Sequence, residues 1–226
     1  MADGNQFAFT PAVELATRPV WEKVKRQVTP MEWRLQAPLI AEINRLKREK
    51  NAVILDGCRV VRYGRLVVAP GLKLNWSGIE GLVATLGRNG VTSNYRYDLA
   101  PYTWELVSNL TSGRALFTQP PMPIKCAGAP QKALYLSADT WLRARRLPDI
   151  AIDFYNAGAV LFGVAAYVPA LMEYVERYHA ALNFGHNLAR IDGPSKTAWF
   201  TRTAADGGKD TVETRFDMLH VCPPQT

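Results

Sequence analysis

Arg114-Ala115-Leu116-Phe117-Thr118-Gln119-Pro120-Pro121-Met122-Pro123-Ile124-Lys125-Cys126-Ala127-Gly128-Ala129-Pro130-Gln131-Lys132 decides the fold of this chain. A short apolar run passes into a proline-rich loop and then into the periodic segment Ala133 to Leu147. The order reads as strand, loop, helix. Pro120, Pro121 and Pro123 stiffen the loop, and Ala127-Gly128-Ala129 lets backbone approach a neighbour closely where the helix begins. Cys126 then stands beside Lys125 near a helix N-terminus, a setting that lowers a thiol pKa and exposes the thiolate. The competing reading is a small buried apolar residue, the commoner fate of a free cysteine. The loop context favours the reactive thiol.

Working outward, strands and helices alternate from Arg114 onward: Ala115 to Thr118, Ala129 to Arg146, Ile150 to Tyr155, Pro169 to His179 and Leu182 to Phe184. Such alternation implies parallel βαβ units. Asn187 to Ile191, Thr197 to Thr203 and Thr211 to Phe216 read as a meander around Asp192-Gly193 and Asp206-Gly207-Gly208, before a last strand Met218 to Cys222. Upstream, Ala52 to Leu55 and Val60 to Val68 read as a hairpin about Asp56-Gly57. After Pro70-Gly71 comes a connector rich in Gly, Asn and Tyr, then a helix over Tyr102 to Asn109. Ala37 to Lys50 is the clearest amphipathic helix, with Leu39, Ile40, Ile43 and Leu46 on one face and Glu42, Arg45, Lys47, Arg48 and Glu49 opposite. Residues 1 to 30 hold only a short helical pattern at Val20, Trp21, Val24 and Val28, expected to be mobile without a partner surface.

Composition narrows the function classes. At 226 residues and 48% hydrophobic content the chain can bury one large core or two small ones. A net charge of +7 raises the question of nucleic acid or an anionic surface. The basic residues fall in runs, Lys23-Val24-Lys25-Arg26, Arg45 to Lys50 and Arg143 to Arg146, interrupted by Glu22, Glu42 and Glu49. They read as solvated helix faces, and no nucleic-acid-binding motif accompanies them. Cys58, Cys126 and Cys222 are too widely spaced for a CxxC metal or redox pair, and a disulfide framework is not expected. His179 and His186 have no carboxylate or cysteine close in sequence to complete a zinc site, and His220 reads as structural, so no metal is expected. The N-terminus carries no basic n-region or apolar h-region, which reads as no secretory signal. Phe154 to Met172 has no charged side chain until Glu173, but Asn156, Gly158, Gly163 and Pro169 divide it into a strand end, a loop and a helix start rather than a membrane span.

The Cys126 stretch resembles the sulfide:quinone oxidoreductases, flavoproteins with a redox cysteine at the start of such a helix. The likeness runs from about Ile54 to Thr226 through Leu66-Val67-Val68-Ala69-Pro70-Gly71, Gly90-Val91-Thr92-Ser93-Asn94-Tyr95, Asp98 to Trp104, Asn156 to Val164 and Leu219-His220-Val221-Cys222-Pro223-Pro224-Gln225-Thr226. It implies an α/β fold, with residues 56–226 a partial FAD/NAD(P)-binding Rossmann-like domain of the two-dinucleotide-domain flavoprotein type, and a helical N-terminal extension. It also implies sulfide and quinone as reaction partners, FAD as electron carrier, Cys126 as the sulfur-attacking thiol, and Ala69 and Gly71 as residues where backbone passes close to the flavin. An ordinary Pro-Gly turn is the alternative reading of that last element. No GxGxxG fingerprint follows any strand, so the first βαβ unit that cradles FAD is expected to be missing. The family's second redox cysteine is expected beyond Thr226. Location is expected to be cytoplasmic, or peripheral on the cytoplasmic membrane.

Residues 1–55 are read differently. Met31-Glu32-Trp33 and Ala37 through Leu55 are similar to the amino-terminal segment of quinolinate synthase, an iron-sulfur enzyme of NAD biosynthesis. In that family the Val-Ile-Leu strand leads into an Ala-His-Asn-Tyr substrate loop, whereas here Leu55 is followed by Asp56-Gly57-Cys58-Arg59. The two resemblances meet between about Asn51 and Asp56, as though two truncated genes were joined there.

Overall fold

The apolar runs Ala115-Leu116-Phe117 and Met218-Leu219-His220-Val221 lack the polar alternation of a strand with one wet face, which is the pattern of strands covered on both sides. The computed structural model describes residues 51–54, 60–68, 72–203 and 207–225. It divides the chain into two compact units, Met1–Lys73 and Leu74–Thr226.

In the first unit, β1 (Ala52–Ile54) pairs antiparallel with β2 (Val60–Arg62). The second hairpin strand is therefore shorter than the expected Val60 to Val68. Leu66, Val67 and Val68 are exposed, and among the described residues the Leu-Val-Val run has no strand partner to extend it. The expected helix over Ala37 to Lys50, the pattern before residue 30, the Asp56-Gly57 turn and Cys58 lie outside the described residues.

The second unit is built on a five-stranded parallel sheet. Its strands are β3 (Val91–Thr92), β4 (Gly113–Gln119), β5 (Ile150–Asn156), β6 (Ala181–Phe184) and β10 (Met218–His220), in spatial order β3-β10-β4-β5-β6. Between β6 and β10 the chain makes an antiparallel meander, β7 (His186–Asp192), β8 (Thr197–Thr203) and β9 (Lys209–Arg215). The helices are α1 (Leu82–Thr85), α2 (Ala100–Asn109), α3 (Ala129–Arg143) and α4 (Val168–Arg177). The expected elements after Arg114 are all present with ends moved by a few residues. The connector between Gly71 and Tyr102 proves more ordered than composition implied, holding α1 and β3; a two-residue strand is too short to show a period.

Alternation along the central strands sorts the core into two layers. Ala115 and Phe117 of β4 and Met218 of β10 pack on the helix side with Val107, Ala133, Leu134, Ala138 and Trp141. Leu116 and Leu219 pack on the meander side with Leu188, Ile191, Ala198 and Phe200. Trp141 also donates its indole N–H to the carbonyl of Val107 at 2.8 Å, fastening α3 to α2 inside the core. At the amino end of the sheet, Gly90 has φ +82°, and a Cβ there would stand 2.3 Å from the Asp217 carbonyl oxygen. Glycine is thus required where β3 is laid against β10, its carbonyl accepting from the Leu219 amide at 2.8 Å.

No helix of the described residues is long and apolar enough to cross a membrane, and the segment over Phe154 to Met172 is the end of β5, a loop and the start of α4, as expected.

Candidate functional site

The chain runs from β4 to β5 to β6 on one side of the sheet, then returns through the meander to place β10 on the other side of β4. The gap between β4 and β10 is therefore the topological switch point, where open parallel sheets bind ligands beyond the strands' carboxyl ends. Two segments leave β4 and β10 there. One is Pro120 to Gly128, which carries Cys126 into α3; the other is Val221 to Gln225, which carries Cys222.

Cys126 is exposed and lies three residues before Ala129, the first residue of α3. Its carbonyl accepts from the Ala129 amide at 2.8 Å, so it belongs to the turn that opens the helix, as the strand-loop-helix reading required. Its φ of +64° is a left-handed conformation that residues with a Cβ seldom adopt. Cys222 is the opposite case, 1% exposed, and burial pushes its thiol up to about 12. Ala69 and Gly71 lie outside the described residues.

Side chains around the two segments tie them together. Tyr95, on the turn after β3, donates its hydroxyl to the Lys125 carbonyl at 3.2 Å. The Lys125 amide donates to Gln225 Oε1 at 2.5 Å, and Gln225 Nε2 lies 3.7 Å from Cys222 Sγ. The Cys222 amide in turn donates to Thr118 Oγ1 at 3.2 Å. Burial, reinforced by the neighbouring Cys222 thiol, pushes the Tyr95 phenol up, so the hydroxyl stays protonated as a donor. Sequence reading singled out neither Tyr95 nor Gln225 by role. The only signal was their place inside stretches quoted for the resemblance, Ser93-Asn94-Tyr95 and Pro223-Pro224-Gln225.

His220 sits beneath this cluster, 1% exposed, and burial lowers its pKa to about 4. The Asn94 amide donates to its Nε2 at 3.1 Å, which places the proton of the neutral ring on Nδ1. Among the described residues that Nδ1 and the buried Gln119 Oε1 have no hydrogen-bond partner. His220 is thus a buried neutral group of the core. Among the described residues no group of three or more His, Cys, Asp and Glu could hold a metal ion. A groove of about 590 Å³ between α2 and α3 is lined by Asn94, Trp104, Ser137 and Arg143 among others, and by neither cysteine.

The β4-to-α3 turn stands where a dinucleotide fold keeps its glycine-rich phosphate loop. Here it holds one glycine, Gly128, at which an added Cβ would make only ordinary contact, 3.8 Å from Phe162. Pro120, Pro121, Pro123 and Pro130 present no amide to a phosphate. These residues do not fit a dinucleotide pyrophosphate. What the turn offers instead is an exposed thiol.

Comparison with known proteins finds relatives of two kinds. The mitochondrial sulfide:quinone oxidoreductase of Dictyostelium discoideum is 42% identical over 180 residues, 79% of this chain, and that of Mus musculus 33% identical over 187 residues, 83% of this chain. The quinolinate synthase of Caulobacter vibrioides is 68% identical over 62 residues, covering 24% of this chain and 17% of its own length. One part of the chain is sulfide:quinone oxidoreductase-like and a shorter one quinolinate synthase-like. The chain spans 38% and 40% of the first two relatives' own lengths. No family model matches. Among solved structures, the sulfide:quinone oxidoreductase of Aquifex aeolicus aligns with TM-score 0.55 at 16% identity, over 76% of this chain and 39% of that one. A chain of the Tetrahymena thermophila mitochondrial ATP synthase aligns with TM-score 0.60 at 22% identity, over 79% of this chain and 44% of that one. The fold is that of the FAD/NAD(P)-binding flavoproteins, α/β with a parallel sheet.

Proposed function

We propose that residues 56–226 are the thiol-bearing part of a sulfide:quinone oxidoreductase-like flavoprotein, and that Cys126 is its nucleophilic redox thiol, whose sulfur would bond to sulfide sulfur with loss of the two S–H protons and two electrons. In a complete protein of this kind sulfide would surrender two electrons, which reach quinone by way of FAD. The observation that carries the reading is the exposed Cys126 at the switch-point turn, in place of a phosphate loop. Residues 1–55 are the quinolinate synthase-like segment. The chain alone is proposed to lack sulfide-dependent quinone reduction, because the sequence holds no GxGxxG cradle and the β4-to-α3 turn does not fit a pyrophosphate. Because quinones are lipid-soluble, the exchange belongs at a membrane surface, which favours, of the two expected locations, the one peripheral on the cytoplasmic membrane over the cytoplasm.

A second reading, a non-catalytic chimeric fragment or a quinolinate synthase-like protein, draws on the 68% identity of the shorter stretch. Residue-resolved alkylation of the folded chain separates the two. Cys126 is expected to label first; preferential labelling of Cys58 or Cys222 sinks the nucleophile assignment. Sulfide-dependent reduction of quinone by the purified chain, abolished in Cys126→Ser, would overturn the proposed inactivity.

A further inference from the structure

Between Gln119 and the first turn of α3 the chain has few backbone partners of its own. Pro120, Pro121 and Pro123 have no amide hydrogen, and Met122 is exposed. Among the described residues, the hydrogen bonds made by residues 120–125 are the two at Lys125: its amide to Gln225 Oε1 at 2.5 Å, and its carbonyl from the Tyr95 hydroxyl at 3.2 Å. These are the peptide groups on either side of Lys125, and the second is the Lys125–Cys126 peptide itself. Gln225 and Tyr95 therefore grip the chain immediately before the thiol.

Each grip is anchored on the same strand. Gln225 is 4% exposed; its Nε2 lies 3.7 Å from Cys222 Sγ, two residues beyond β10, and the adjoining Pro224 carbonyl accepts from the Asn75 amide at 2.8 Å. Tyr95 follows Asn94, whose amide donates to His220 of β10 at 3.1 Å, and the Tyr95 amide donates to Ser93 Oγ at 3.2 Å. The loop leaving β4 is thus held through side chains to the neighbouring strand across the switch point. Cys126 meanwhile keeps φ +64°, a conformation unfavourable for a residue with a Cβ, which persists only where its surroundings over-determine it.

We infer that Tyr95 and Gln225 are positioning residues that hold the two peptide groups flanking Lys125 so that the Cys126 thiol is presented in one fixed, left-handed conformation. The inference rests on the reading of Cys126 as the nucleophile. A nucleophile held in one geometry meets its target more often in a productive orientation than one on a free loop. With the grip removed, Cys126 relaxes to ordinary negative φ and its productive presentation is diluted over many loop conformations.

The test uses the whole 226-residue chain and three variants, Gln225→Leu, Gln225→Glu and Tyr95→Phe. Three quantities are read: the rate of iodoacetamide alkylation at Cys126 by peptide mass, hydrogen exchange at the Lys125 amide, and Tm. Gln225→Leu, which removes the acceptor at similar bulk, is expected to slow Cys126 alkylation at least threefold and to speed Lys125 exchange at least tenfold. Gln225→Glu keeps an acceptor oxygen and should stay within twofold of the parent on both. Tyr95→Phe, which loses only the hydroxyl, should slow alkylation at least twofold with little change in Tm. If Gln225→Leu fails to fold, Tyr95→Phe carries the test. Equal behaviour of the Leu and Glu variants, or an unchanged Cys126 rate in Tyr95→Phe, overturns the inference. If Cys126 is the fastest thiol in the parent chain and the variants do not alter it, the inference fails alone. If Cys126 is not the fastest thiol in the parent chain, the nucleophile reading fails first.

Discussion

The middle of the parallel sheet and its carboxyl edge are held together by different physics. In the middle, Phe117 and Trp141 lie with ring centroids 6.5 Å apart, both fully buried, and the layer is stabilised by non-directional removal of apolar area from water. At the edge, the Cys126 loop is held by a hydrogen bond from Tyr95 and one to Gln225, while its thiol stays exposed. Apolar packing resists change in volume and tolerates pH; side-chain hydrogen bonds resist reorientation and add little net stability, about 1 kcal/mol each. A site that must be both fixed and accessible suits the second kind of restraint. The two cysteines among the described residues show the contrast in one residue type, Cys222 sealed within the protein and Cys126 on its surface.

The largest expected effect belongs to the middle. Phe117→Ala or Trp141→Ala should lower unfolding free energy by about 3–5 kcal/mol in urea titrations, whereas Cys126→Ser should change it by less than about 0.5 kcal/mol. A Cys126→Ser variant as damaged as Phe117→Ala would erase the distinction between the regions.

Next comes the buried imidazole that joins them. His220 has its folded pKa lowered to about 4, against about 6.5 when unfolded. The folded state therefore binds the proton less readily, and stability is full above about pH 6.5 and falls as pH drops through the window to about 4. The loss at the acid end is about 3 kcal/mol. His220→Asn should flatten that part of the stability curve; an unchanged slope would show that other groups produce it.

A third expectation is kinetic. Native Cys222, buried and with its thiol pushed up to about 12, should alkylate about 100-fold more slowly than Cys126 at neutral pH, and become accessible on unfolding. Comparable rates in the folded chain would mean that the edge opens readily. The smallest effect is expected on the meander side, where Tyr155 stacks on Phe200 at 3.9 Å and its hydroxyl pairs with Thr214 Oγ1 at 3.1 Å. Tyr155→Phe keeps the stack and loses one neutral bond, costing about 1 kcal/mol. A loss of 3 kcal/mol or more would place hydrogen bonding, rather than packing, at the centre of that layer.

The sequence by itself determined what depends on neighbours along the chain. The apolar runs of β4 and β5, the periodicity of α3 and the prolines of the intervening loop announced a strand-loop-helix unit with Cys126 at its last bend. The same local signals overextended β2 to Val68, because apolar residues read as strand whether or not a partner strand is there to receive their amides. Only the tertiary structure decided the rest. β10 enters the sheet beside β4 from about a hundred residues away, with Leu219 opposite Leu116, and that pairing creates the switch point. It buries Cys222, leaves His220 neutral, and brings Gln225 and Tyr95 onto the two sides of Lys125. None of these follows from local periodicity. A hydrogen bond between residues 30 or 100 positions apart leaves no local mark on either of them, and its energy exists only once the sheet has closed the distance.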